Sequence, residues 1–129
     1  MAYGIFDIRA IITSRVQVLP ADTTTPKTLF TFTTTPQLIT DILLTNSDTI
    51  AHFATLTYYT TVGSSRIGSV EVPARAGYDG AGPVSFAANG GIGSFGGWAL
   101  TNAHALQIGV TVTMTAGTLL DAIVYSGYL

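Results

Sequence analysis

The sequence predicts an all-β fold, an antiparallel β-sandwich or jelly roll, on three observations. Apolar and polar residues alternate in segment after segment, the period-two pattern of half-buried strands, and no long segment repeats apolar residues at helical spacing. Turn-forming clusters separate these segments and leave about seven short strands, as in sandwiches and barrels. The polar complement is mostly hydroxyl: the chain holds 21 threonines, whose β-branched side chains suit a half-exposed pleated surface.

The elements follow in order. Residues 8–18 read as the first extended stretch, with Ile8, Ala10 and Ile12 on one face. A loop of Asp, Thr and Pro fills 20–26, and 28–34 form a second strand with Phe30 and Phe32 on one side. Pro36 punctuates it. A third strand, 38–45, sets Leu38, Thr40, Ile42 and Leu44 against Ile39, Asp41, Leu43 and Thr45. Asn46-Ser47-Asp48-Thr49 is a turn of residues that bond back to their own backbone. His52–Thr60 follows as a fourth strand, so 38–60 reads as a hairpin. Gly63-Ser64-Ser65 turns into a fifth strand, 67–72, stopped at Pro73. The strongest pattern is 106–114, with Leu106, Ile108, Val110, Val112 and Met114 on one face; after Ala116-Gly117, residues 119–125 close the domain. The expected core comprises Phe30 or Phe32, Ile42, Leu44, Leu56, Val70, Ile108, Val110, Val112 and Ile123.

Residues 73–104 interrupt this rhythm with a long glycine-rich excursion. Loops longer than about 12–15 residues are uncommon in compact domains and carry function or disorder. Tyr78, Phe95 and the single tryptophan, Trp98, lie among the glycines, where a disordered linker would have little use for them. The excursion therefore reads as ordered, with a short strand near 84–87, lying over the end of the sandwich. The chain divides into 1–27, an extended N-terminal arm or a first strand, and 28–129, the sandwich. Residues 1–27 are apolar and extended at first, and such a segment can complete a neighbour's sheet, with Ile5, Phe6 and Ile8 as contact residues.

Composition excludes several functions. The chain of 129 residues contains no cysteine, which removes disulfides, thiolate nucleophiles and Cys-ligated zinc. Charged residues are 9%, against a usual value of about 25%, and the net charge is -2. Arg9, Arg15, Lys27, Arg66 and Arg75 are scattered, so no basic stripe exists to neutralise nucleic acid. No apolar run is long enough to span a bilayer, and no basic region followed by an apolar run marks a secretory leader. Synthesis in the host cytosol is expected. A quiet, hydroxyl-rich surface suits either a soluble β domain or a subunit covered by other subunits.

No catalytic or metal-binding constellation is expected, and no cofactor. His52 and His104 are the candidates for proton transfer near neutral pH. Asp41 and Asp48 lie near His52 in sequence, but nothing in the pattern demands a triad, so both histidines read as structural or exposed. Asp79-Gly80 could form one arm of a calcium loop, yet a single Asp in a glycine loop is commonly a turn former. Gly91-Ile92-Gly93-Ser94-Phe95-Gly96 has the spelling of a nucleotide-binding loop without the strand–helix context that gives it meaning.

Three stretches carry a resemblance: Leu43-Leu44-Thr45-Asn46-Ser47-Asp48-Thr49-Ile50-Ala51; Val70-Glu71-Val72-Pro73-Ala74-Arg75-Ala76-Gly77-Tyr78-Asp79-Gly80; and a finish from Leu106 through Thr115-Ala116-Gly117 to Tyr128, read as a closing hairpin. Together, over 38–129, they resemble small jelly-roll-like virion proteins of tailed bacteriophages, found as head-associated, decoration or tail-associated subunits. The resemblance implies a non-enzymatic virion component acting through multivalent contacts, as a trimer or larger ring, with the major capsid or other virion proteins as partners. Arg75, Tyr78, Phe95 and Trp98 are then candidate contact residues. A carbohydrate- or receptor-binding module with its site in 73–104 is the alternative.

Overall fold

The computed structural model describes residues 10–31, 37–60, 62–89, 98–100 and 105–128. Nine strands and a single-turn helix appear among them. They are β1 (Ala10–Val18), β2 (Lys27–Thr31), β3 (Gln37–Asn46), β4 (His52–Thr60), β5 (Gly63–Val72), β6 (Val84–Ser85), α1 (Phe86–Asn89), β7 (Trp98–Leu100), β8 (Ala105–Val110) and β9 (Leu120–Tyr128). All pairings are antiparallel.

Two sheets face each other. The first runs β1-β9-β3-β6, with β7 also pairing β3; the second runs β2-β8-β4-β5. Among the described strands, the β4–β5 turn alone joins neighbours within one sheet in immediate succession around a tight hairpin. The links β1–β2, β2–β3, β3–β4, β5–β6, β7–β8 and β8–β9 pass from one sheet to the other. This wrapping is the jelly roll, and it confirms the all-β sandwich.

The same topology corrects both expected hairpins. Residues 38–60 are not a hairpin, because β3 pairs β9 in the first sheet while β4 pairs β5 and β8 in the second. The finish is not a hairpin either: β8 lies between β2 and β4, and β9 between β1 and β3. A turn motif specifies a change of direction, and whether the chain re-enters its own sheet depends on which face each strand buries.

The core lies between the sheets. Leu44, Leu56, Val72, Leu106, Ile108, Leu120, Ala122 and Val124 are wholly buried, and Ile42, Val70 and Val110 nearly so. On β3 the buried set is Ile39 and then Ile42, Leu44 and Asn46, because a register irregularity between Ile39 and Asp41 inserts Thr40 and changes the phase. That bulge is why strict alternation assigns Ile39 to the wrong face. Val112 is 57% exposed rather than core, since β8 stops at Val110, and Ile123 is half-buried because Ala122 and Val124 take the inner face of β9. Phe86 and Met114 join the core from outside the regular strands. Phe32 lies outside the described residues.

The described parts of the excursion supply an edge of the first sheet, and they include the short strand expected near 84–87. Val84 and Ser85 pair with Leu44 and Leu43, and Trp98–Leu100 pair with Ile39–Gln37. Between them α1 drives Phe86 inward to 1% exposure.

Candidate interaction site

The loop after β5 is built on a buried polar node. Asn46, Asp48 and His52 are essentially without solvent contact. Asp48 Oδ2 accepts from His52 Nε2 at 2.8 Å and from the Thr115 amide at 3.0 Å. Asn46 Nδ2 donates to the carbonyls of Ile50, Val72 and Pro73, and the Asp48 amide donates to Asn46 Oδ1. One short turn thus joins the end of β3, the end of β5 and the β8–β9 link. Ser47 reinforces the last of these, accepting from the Leu119 amide at 2.9 Å.

Burial pushes the Asp48 carboxyl up, but the hydrogen bonds from His52, Thr115 and Ile50 outweigh it and hold the group well below the usual carboxylate range. A base oriented by a carboxylate is half of a nucleophilic triad. Here both side chains are sealed at 0% exposure, and their bonds tie the connections together, so His52 is buried rather than exposed. The Asn-x-Asp turn and the i, i+4 spacing of Asp48 and His52 were the signal for this node, and neither reveals burial by itself.

On this base stands the loop 73–83. Pro73 ends β5, and the Arg75 amide donates to the Asp48 carbonyl at 2.9 Å. Arg75 adopts φ 59°, a left-handed conformation uncommon for a side-chain-bearing residue, and Gly77 has φ 84°. The Ala76 carbonyl accepts from the Asn46 amide, and Ala76 is fully buried. The loop is therefore folded back on β3. A Cβ at Gly77 would lie 2.5 Å from Thr45 Cγ2, so no larger residue fits without displacement.

The outward surface of this loop is a compact aromatic and ionic group. The Arg75 guanidinium donates to Asp79 Oδ1 at 2.8 Å and Oδ2 at 3.3 Å, and to the Ser47 carbonyl at 3.0 Å. It lies 5.1 Å from the centroid of the Tyr78 ring, a cation–π distance. Arg75 holds the Asp79 carboxyl below its usual range. Tyr78 is 51% exposed on a backbone fixed by the buried node. On the adjoining strands Arg15 pairs with Asp121 at 2.9 Å. A rigid loop presenting a half-exposed tyrosine beside a guanidinium can bind another protein surface at little ordering cost.

The other predicted residues do not all gather here. Trp98 opens β7, opposite Ile39, at the far end of the sheet edge from the β6 pairing. Ile5, Phe6, Ile8, Phe95 and His104 lie outside the described residues. Among the described residues no group of three His, Cys, Asp or Glu side chains is placed to hold a metal ion. Among them, too, no helix is long and apolar enough to cross a membrane.

No family model and no curated protein matches the sequence. A solved structure does share the fold: a chain of the capsid asymmetric unit of cyanophage Pam1 superposes with a TM-score of 0.52 at 16% identity, over 100% of this chain and 91% of that one.

Proposed function

We propose that this chain is a non-enzymatic structural subunit of a bacteriophage particle, associated with the capsid as a decoration, cement or minor capsid protein. It works through contacts with copies of itself, as a trimer or larger ring, and with the major capsid or other virion proteins. The observation that carries this reading is the fold likeness to a chain of a phage capsid asymmetric unit. The low charge and abundant hydroxyls support it, since such a surface repels neighbouring copies weakly. So do the open edges of the second sheet: β2 and β5 each pair with a single strand among the described residues, leaving edges on which a strand from a neighbouring subunit can add.

Residues 75–98 are the proposed subunit contact, with Arg75 and Tyr78 on the built loop and Phe95 and Trp98 beyond it. Sedimentation of the wild-type chain across a concentration series, with and without purified capsids, tests this. Tyr78→Ala is expected to weaken association by about tenfold and Trp98→Ala by about 2 kcal/mol, both with an unchanged unfolding temperature. A chain that stays monomeric at about 100 μM and leaves capsids unbound contradicts the proposal. A Trp98→Ala variant that loses stability yet associates normally assigns Trp98 to its own sandwich.

A further inference from the structure

The outer face of the second sheet carries a feature that subunit contact through the 75–98 segment does not use. A groove of about 360 Å3 lies across β4, β5 and β8, lined by Thr24, Pro26, Thr55, Thr57, Arg66 and Gly109, with Thr111 at its end. Its floor follows from the register. Arg66, Thr57 and Gln107 form one cross-strand row, and Ser69, Thr55 and Gly109 the next. Strands stand about 4.8 Å apart and alternate residues about 6.6 Å apart, so the rows set polar groups at spacings on the scale of one sugar unit. Pro26 packs over the buried Gly109, where a Cβ would lie 3.3 Å from Pro26 Cα, and walls that side of the groove.

Two further observations narrow the occupant. Arg15, Lys27 and Arg75 each have a carboxylate partner, whereas Arg66 has none among the described residues and opens onto the groove. Thr57, in the same cross-strand row as Arg66 and partly exposed, and the exposed Thr24 and Thr111 add hydroxyls to the groove. Phe53 and Tyr59, 49% and 45% exposed, stand at either end of the same β4 face and offer rings for stacking. Hydroxyls, one unneutralised guanidinium and flanking aromatic rings together match a carboxylated sugar.

We propose that the groove across β4, β5 and β8 binds an acidic saccharide, with Arg66 pairing its carboxylate, the hydroxyls of Thr24, Thr57 and Thr111 bonding its hydroxyl groups, and Phe53 and Tyr59 holding the chain at its ends. The site is independent of the capsid reading, because it occupies a different face from the 75–83 loop. Amide NMR titration of the full 129-residue chain tests it. The probes are a tetrasaccharide of alternating glucuronic acid and N-acetylglucosamine, an N-acetylglucosamine tetramer, and sodium acetate. The expected result is saturable shifts at Thr55, Thr57, Arg66 and Gly109 with the acidic tetrasaccharide, at millimolar affinity or better. Arg66→Gln should weaken it by about tenfold, to the level of the neutral tetramer, and Thr57→Val should weaken both oligosaccharides. Arg66 and Thr57 face solvent on an intact sheet, so both variants should keep the wild-type spectrum elsewhere. Equal binding of acetate, shifts confined to the 75–80 loop, or no shifts at all would each overturn the proposal.

Discussion

Replacing Asp48 by alanine removes the acceptor at the centre of the buried node. Two well-placed donors lose their partner: His52 Nε2 at 2.8 Å and the Thr115 amide at 3.0 Å. A third, the Ile50 amide at 3.4 Å, is a weaker bond. Each buried donor left unsatisfied costs about 1–3 kcal/mol. The expected loss is therefore about 4 kcal/mol, a large share of the roughly 5–15 kcal/mol that holds a domain folded. For a chain of this length that lowers the unfolding midpoint by roughly 10–20 °C. Urea titration at neutral pH reads the loss directly. His52→Ala should cost nearly as much, because it leaves the carboxylate sealed without its strongest partner. The double variant should cost clearly less than the sum, since the two groups serve one interaction. If Asp48→Ala costs less than about 1 kcal/mol, or if the two losses simply add, the node is not what joins the connections.

The carboxylate also sets a pH dependence. Asp48 ionises in the folded chain well below the unfolded value of about 3.9, so its stabilisation is present above that value and is lost as the pH falls through and below it. The unfolding midpoint should drop steeply on acidification, less so in Asp48→Asn. Asp22 and Asp79 are shifted in the same direction and should leave a residual slope. Gly77→Ala should cost about 2 kcal/mol through its left-handed backbone and its approach to Thr45; adding Thr45→Ser removes the methyl and should restore only the larger share of the steric part of that loss. Leu56→Ala, at a wholly buried position between the sheets, should cost about 2–5 kcal/mol by urea titration.

What was legible in the sequence was whatever depended on local periodicity. The strand His52–Thr60 and the buried faces of Ile42, Leu44, Leu56, Val70, Ile108 and Val110 follow from alternation alone, whereas β5 begins at Gly63 and takes in the Gly63-Ser64-Ser65 expected as a turn. What was not legible depended on long-range choices. Asn46-Ser47-Asp48-Thr49 has turn chemistry that fits a hairpin, yet here its polar groups are consumed by Pro73, Ala76, Thr115 and Leu119, residues remote in sequence, and the chain changes sheets. Val112 continues an apolar alternation past the point where β8 loses its partner strand. The bulge at Thr40 leaves no compositional trace. The loop site was half visible: Arg75 and Tyr78 stand out among glycines, but the φ of Arg75 and the buried support beneath it belong to the tertiary structure. The outer groove of the second sheet was hidden, because Thr57 and Arg66 meet through strand register and carry no motif.

Electron cryomicroscopy of purified particles made by the genome that encodes this chain, with peptide mass spectrometry of the same particles, tests the central claim most directly. The expected result is repeated density for a jelly roll on the capsid, fitting the β1-β9-β3 and β2-β8-β4-β5 sheets, with the loop at Arg75 and Tyr78 pressed against a neighbouring subunit. Particles that are complete and contain no peptide of this chain would contradict it.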